Sequence, residues 1–284
     1  MNVVRARSAG FCMGVSLALR KLDEIIEQEG AGRGKIYILG SIIHNPQVVE
    51  EYSAKGVIIA ESPADIPSGA TVVIRAHGIP KDIQALLTRR GIRVVDATCP
   101  KVKDACLLIE QHTTAGRTLL LYGEQTHPEV KCLLSYAAAD TLVFDSLEQC
   151  RSGILNVDNK YCLAAQTTQD REIFDAISED LSTRRDLDLV VLHTICDATK
   201  KRQGEAIRIA EQVDFMIVAG GYESSNTRRL AQVVESYGTG ALHVETAADL
   251  PLAKLRAYQS IGLTAGASTP KKIVDDIQSL LETL

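Results

Sequence analysis

The chain has no tryptophan, and only 4% of its residues are aromatic. That leaves too few rings for the stacking platforms that single-stranded nucleic acids require. A net charge of −5 and a pI near 5.7 exclude binding driven by phosphate neutralisation, so no nucleic-acid partner is expected. No apolar run reaches the length of a membrane span, and no membrane association is expected. The opening MNVVRARSAGF has no basic n-region followed by a long apolar stretch, so no secretory signal is read there. The expected compartment is cytoplasmic and reducing. No C-x-x-C occurs, which removes zinc ribbons and thioredoxin-type pairs. No G-x-G-x-x-G follows a strand, so a bound nicotinamide or flavin is not indicated. The segment Gly30-Ala31-Gly32-Arg33-Gly34-Lys35 faintly resembles a phosphate loop. It precedes a strand instead of following one, and is read as a helix-to-strand connector. Electrons for any redox chemistry are therefore expected from a separate carrier protein.

What the chain does have is seven cysteines, an odd number that argues against a disulfide framework. Three share one local setting of apolar run, short polar or glycine turn, cysteine and helix-like stretch. They are Cys12 in VVRARSAGFCMGV, Cys99 in IRVVDATCPKVKDA and Cys196 in LVVLHTICDATKKRQ. Single thiols at such wide spacing suggest a three-cysteine metal site with one coordination position left open. A thiolate at a helix start is favoured by the backbone amides and the dipole. A Cys₃ zinc site with a histidine as fourth ligand competes with an iron–sulfur cluster, since both use soft thiolates. Cys106 and Cys162 sit in apolar surroundings and read as small buried hydrophobes; Cys132 and Cys150 are read as structural.

Short β-branched runs alternate with amphipathic stretches: NVVRA, KIYILG, TVVIRAHG, IRVVDAT, TLLLYG, KYCLAAQT, LDLVVLHT, FMIVAG and SIGLTAG. This pattern predicts βαβ units around parallel sheets. The strand ends fall into three families, each occurring three times. One is the cysteine loops. In the second, a strand ends in Gly40, Gly123 or Gly220, which follow their cysteines by 28, 24 and 24 residues. In the third, His77, Gln166 and Gly266 follow theirs by 65, 67 and 70. The chain is thus read as three copies of a three-strand α/β unit, over residues 1–97, 98–194 and 195–284. NVVRA is expected to supply the strand missing after the last helix, closing a three-lobed ring. Ligands sit beyond the carboxyl ends of strands in such sheets, so the nine strand-end loops are expected to converge on one pocket.

The second-family loops bring His44, then His127 with Glu129, then Ser224, Ser225 and Asn226. The third-family loops bring His77, then Gln166, Thr167 and Thr168, then Ser268 and Thr269. Imidazoles, hydroxyls and amides at helix starts suit a polyanion such as diphosphate. Simple N-capping competes with that reading for Thr168 and Thr269. If Glu129 is buried beside a bound anion, its protonated form is favoured and a general acid follows. His112 and His243 have no such placement and are read as structural; His193, in the strand before the Cys196 loop, is read as at most supporting the site from behind.

Taken in order, GFCMGV, IIHNPQVV, RAHG, DATCPKV, THPEV, QTT, TICDATKKRQ, SSNTRRL and TAGAS span essentially the whole chain. Together they resemble the 4-hydroxy-3-methylbut-2-enyl diphosphate reductase family. The resemblance implies three pseudo-symmetric α/β sub-domains with small parallel sheets, arranged as a trefoil around a central iron–sulfur cluster. It implies one [4Fe–4S] cluster per chain, held by Cys12, Cys99 and Cys196, with [3Fe–4S] expected after preparation in air. It implies substrate contacts from His44, His77, His127, Thr167, Ser224, Ser225, Asn226 and Ser268, and proton delivery by Glu129. The implied reaction is the last step of the non-mevalonate isoprenoid pathway. There the substrate hydroxyl binds the open iron, and two electrons and two protons remove it as water. The products are isopentenyl and dimethylallyl diphosphate, and ferredoxin or flavodoxin supplies the electrons. Two positions depart from the family pattern: Leu17 replaces a usual basic residue, and Cys132 replaces a usual glycine. A non-catalytic iron–sulfur sensor of an isoprenoid diphosphate, and a zinc-dependent hydrolase of a phosphorylated metabolite, are the competing functional readings.

Overall fold

A computed structural model of the chain describes residues 1–29, 35–153 and 155–284. Of the glycine-rich connector, Gly30 to Gly34 lie outside the described residues. Asn2–Arg5 (β1) leads to helix Met13–Glu29 (α1), followed by Ile36–Leu39 (β2), Pro46–Ala54 (α2), Ile58–Ala60 (β3), Thr71–Ile74 (β4), Lys81–Arg89 (α3) and Arg93–Asp96 (β5). Pro100–Thr114 (α4), Thr118–Tyr122 (β6), Pro128–Leu134 (α5), Thr141–Phe144 (β7), Leu147–Ser152 (α6), Lys160–Ala165 (β8), Arg171–Thr183 (α7) and Asp188–Val191 (β9) come next. The last third runs Asp197–Ala210 (α8), Phe215–Ala219 (β10), Ser225–Ser236 (α9), Ala241–Val244 (β11), Leu252–Leu255 (α10), Ser260–Ala265 (β12) and Lys271–Glu282 (α11).

These strands form three four-stranded sheets with one shared order: β3-β2-β4-β5, β7-β6-β8-β9 and β11-β10-β12-β1. Every pairing is parallel. The N-terminal strand completes the last sheet, with Asn2 opposite Ser260 and Arg5 opposite Leu263. Each unit therefore has four strands where the sequence pattern predicts three. The additional strands, β3, β7 and β11, are short edges bonded on one side and mostly exposed or half-buried. Each spans three or four residues and buries only its last one, Ala60, Phe144 or Val244, which is too short a stretch for a period to register.

The inner strands are covered on both faces, which is why they read as continuous apolar runs. In the middle sheet, Leu119 and Leu121 of β6 pack with Val102, Ala105 and Ile109 of α4. Leu120 and Tyr122, pointing the other way, pack with Phe174, Ile177 and Leu181 of α7. Leu120 is fully buried, and its truncation to alanine costs about 2–5 kcal/mol.

The chain divides into two compact units. One holds residues 1–16, 43–52 and 197–284, with sheet β11-β10-β12-β1; the other holds 17–42 and 53–196, with the remaining two sheets. Among the described residues, no helix is long and apolar enough to cross a membrane.

Candidate active site

Each of the three repeat cysteines follows an outer strand, β1, β5 or β9, and leads into helix α1, α4 or α8. All three are anchored by the same bond. The backbone N–H of Cys12 donates to Ala267 O at 3.1 Å, that of Cys99 to Ala76 O at 2.9 Å and that of Cys196 to Thr167 O at 3.0 Å. Each acceptor is the second residue after β12, β4 or β8, inside a turn closed by Thr269 N to Gly266 O, Gly78 N to Arg75 O or Gln169 N to Gln166 O, in that order. This bonding makes His77, Thr168 and Ser268 equivalent. It corrects the sequence spacing, which matches His77 with Gln166 and Gly266, two residues too early.

Cys12, Cys99 and Cys196 are partly exposed, whereas Cys106, Cys132, Cys150 and Cys162 are buried. A ligand to an external metal centre must present its sulfur, and a packing cysteine need not. The Val15 amide already points at Cys12 Sγ, 3.5 Å away. Three accessible thiols at equivalent helix starts fit an iron–sulfur centre as donors.

In the larger unit, α5 begins with His127 as its N-cap, where Nδ1 accepts from Glu129 N at 3.1 Å. That bond leaves Nε2 as the protonated nitrogen of a neutral ring. The His77 ring lies edge-on to the His127 ring, with centroids 5.4 Å apart. Glu129 is 2% exposed, and its carboxylate accepts from Thr167 N at 2.6 Å and from Thr167 Oγ1 at 3.0 Å. Burial pushes the Glu129 carboxyl up to about 7, against the opposing pull of the Thr167 bonds. A carboxyl in that range gives and takes protons near neutral pH. The glycine ending β6 makes room for this arrangement: a Cβ on Gly123 would lie 2.9 Å from Val130 and 3.1 Å from Gln166 Cβ.

In the smaller unit, Ser224 caps α9 by accepting from Thr227 N at 3.3 Å. Capping is thus a real role for this serine. Its hydroxyl also lies 3.4 Å from Ser268 Oγ, which donates to His44 O at 3.2 Å. A Cβ on Gly221 would lie 2.7 Å from that same His44 carbonyl, so only glycine lets the two loops approach. Ser225 and Asn226 follow in the first turn of α9, and the buried Asn226 Nδ2 meets no acceptor among the described residues. Hydroxyl, amide and helix-start donors concentrated in this way favour an anion.

The capping reading of two threonines does not hold. Helix α7 is capped by Asp170, which accepts from Ile173 N at 3.0 Å, while Thr168 Oγ1 accepts from Gln166 Nε2 at 3.2 Å. Helix α11 follows Pro270 without a side-chain cap, and Thr269 Oγ1 donates to Ala219 O at 3.0 Å. Position after a strand, not proximity to a helix, was the usable signal for Thr168. His243 is structural, with Nε2 2.8 Å from Gly220 O. His193 is exposed, and Leu17 is half-buried on α1. Cys132 is 3% exposed, donates to Ile79 O at 3.3 Å and lies 3.9 Å from Cys106 Sγ. It fills space under the turn that carries His77.

The model of the LytB protein family matches residues 3–282. The chain is 53% identical over 284 residues to the 4-hydroxy-3-methylbut-2-enyl diphosphate reductase of Oleidesulfovibrio alaskensis, covering 100% of both. It is 36% identical to that of Clostridioides difficile, again over 100% of both. Among solved structures it is similar to the E-1-hydroxy-2-methyl-but-2-enyl-4-diphosphate reductase of Plasmodium falciparum. The TM-score is 0.92 at 26% identity, covering 98% of this chain and 87% of that one. It is also similar, at TM-score 0.71 and 35% identity over 100% of both chains, to a reductase described as the terminal enzyme of the non-mevalonate pathway. The match of family model, full-length relatives and three-sheet architecture leads to one conclusion: the chain belongs to the LytB protein family.

Proposed function

We propose that this chain is a 4-hydroxy-3-methylbut-2-enyl diphosphate reductase, converting the hydroxylated allylic diphosphate to isopentenyl and dimethylallyl diphosphate plus water. The observation that carries the reading is the threefold N–H···O anchor that sets Cys12, Cys99 and Cys196, the three partly exposed cysteines, at equivalent helix starts. Those thiolates are the ligands for a [4Fe–4S] cluster, one per chain, expected as [3Fe–4S] after handling in air. When bound, such a cluster supplies electrons and a Lewis-acidic iron open to the substrate hydroxyl.

The protein's own groups divide the remaining work. Ser224, Ser225, Asn226 and Ser268 offer donors around the start of α9, suited to the diphosphate, and His44, whose carbonyl accepts from Ser268, adds its imidazole to that set. His77 and His127 add imidazole donors from the larger unit. Glu129, protonated near neutral pH by its burial, supplies the proton that leaves with the hydroxyl. Thr167 acts through Glu129, since its N–H and its hydroxyl are both turned to that carboxylate. Anchoring the diphosphate fixes where the distant hydroxyl sits, so remote binding is converted into position.

Residues 1–97, 98–194 and 195–284 are the three repeats of this reading, each opening on one ligand loop. The electron donor is a ferredoxin or flavodoxin, and the compartment is the cytoplasm. Anaerobic incubation with reduced viologen and (E)-4-hydroxy-3-methylbut-2-enyl diphosphate tests it. The two five-carbon diphosphates are the expected products. Hydrolysis to phosphate in air without reductant would instead identify a zinc-type hydrolase.

A further inference from the structure

Helix α8 carries one buried residue with no counterpart in the other repeats. Arg202 lies six positions past Cys196 and is 4% exposed. The same step from Cys99 and Cys12 reaches Ala105 and Ala18, 2% and 0% exposed. The site is therefore one where a small residue suffices twice and a cation is buried once. Burying a guanidinium strips it of water, so its contacts have to offset that penalty.

Those contacts are carbonyls. Arg202 donates to Ser8 O, to Ala265 O at 2.5 Å and to Gly10 O at 2.9 Å. Ala265 ends β12, while Ser8 and Gly10 belong to the loop that delivers Cys12. This loop is the longest of its kind: six residues separate β1 from Cys12, against two between β5 and Cys99 and four between β9 and Cys196. A longer loop leaves more main-chain groups outside the sheet ladder, and these need partners. Glu205, on the same helix, accepts from Arg7 N and Ser8 N, each at 2.8 Å. The guanidinium thus holds the loop by its carbonyls and the carboxylate holds it by its amides.

Satisfying a carbonyl does not in itself call for a charge. After β9, the neutral Thr194 hydroxyl donates at 2.6 Å to Ala165 O, the residue that matches Ala265. After β5, the Lys21 ammonium covers Asp96 O at 2.7 Å, and Lys103 pairs with the Asp96 carboxylate at 2.5 Å. Arg202 differs in its depth and in having Cys12 as its neighbour. Burial pushes its guanidinium down from the ordinary value, and the Cys12 thiolate and then the Glu205 carboxylate push it back.

We propose that Arg202 is a positioning residue for Cys12: it fixes the six-residue loop and keeps a buried positive charge beside that one thiolate. The inference rests on Cys12 being a cluster ligand. A fixed cation near one ligand stabilises the more negative, reduced form of the centre and so raises its potential.

The test uses the full chain with Arg202→Met and Arg202→Lys. Two quantities are measured: amide hydrogen exchange over residues 8–15 in iron-free protein, and the midpoint potential after anaerobic reconstitution. In Arg202→Met, exchange over 8–15 is expected to rise at least tenfold, with β6 and β8 unchanged. Its potential is expected to fall by a tenfold shift in the one-electron equilibrium, about 59 mV. Arg202→Lys is expected to loosen the loop while keeping the potential. Unchanged exchange in Arg202→Met, or faster exchange at an unchanged potential, overturns the proposal. If Arg202→Met does not fold, Arg202→Lys decides: wild-type potential with a looser loop supports it, and a lowered potential or a protected loop overturns it. A wild-type protein that takes up no iron would refute the cluster reading instead, and the exchange data would still judge the clamp.

Discussion

Glu129 places its whole carboxylate on one residue, accepting from both the amide and the hydroxyl of Thr167. The same Thr167 accepts from the Cys196 amide through its carbonyl. The proposed proton donor and the proposed ligand loop therefore share one residue. Glu129→Gln keeps the shape and removes the ionisable proton. Turnover is expected to fall by about 10²–10⁴-fold with ligand affinity and iron content unchanged. Steady-state rates beside calorimetric binding of the diphosphate check this. A sensor without catalytic function would show no turnover to lose.

The raised carboxyl also predicts a slope in stability with pH. In the folded chain Glu129 titrates near 7 against an ordinary 4.5, so the native state holds this proton more tightly than the unfolded chain. Its contribution is fully present below 4.5 and is lost as pH rises towards 7, on the order of 3 kcal/mol over the window. Urea denaturation at pH 4.5 and 8 should show wild type losing more stability than Glu129→Gln by that amount. Equal slopes would contradict the burial argument.

The turn carrying His77 has its own steric test. Gly78 sits at φ +76, and an added Cβ would lie 2.6 Å from Cys132 Sγ. Gly78→Ala is expected to destabilise by about 1–3 kcal/mol, through positive φ and the clash together. Cys132→Gly in the same chain should return the steric share and leave the strain. Chemical denaturation of the two single variants and the double variant measures the coupling; strict additivity would mean that the sulfur is not the obstacle.

Much of this arrangement was legible in the sequence because the threefold repeat multiplies each signal. The cysteine loops, the glycine-ended strands and the β1 closure of the last sheet all follow from pattern. What escaped detection depends on partners distant in the chain. Strands β3, β7 and β11 are edges of three or four residues that bury only their last side chain, too short for an alternation to announce them. The equivalence of Thr168 with His77 and Ser268 is set by hydrogen bonds that the cysteine N–H groups donate, not by counting from the cysteines. Arg202 read as one more basic residue in TICDATKKRQ, since nothing local says that a loop nearly two hundred positions away lacks donors for its carbonyls.

Accessibility separates the cysteines chemically. In iron-free protein, Cys12, Cys99 and Cys196 should be alkylated first, with Cys106, Cys132, Cys150 and Cys162 protected until unfolding. Burial adds to that protection by pushing the Cys150 and Cys162 thiols up to about 11. Mass mapping after brief iodoacetamide treatment checks the order. Early labelling of Cys132 would show that the turn above it opens.

The central claim is that three repeat cysteines hold an iron–sulfur centre for reductive chemistry. Iron, acid-labile sulfide and zinc are to be quantified on anaerobically purified protein, alongside the single Cys→Ser variants at 12, 99 and 196. The account predicts a brown protein with about four irons and four sulfides per chain, and loss of that content in each variant. Stoichiometric zinc with neither iron nor sulfide, or full iron retention in the variants, would contradict it.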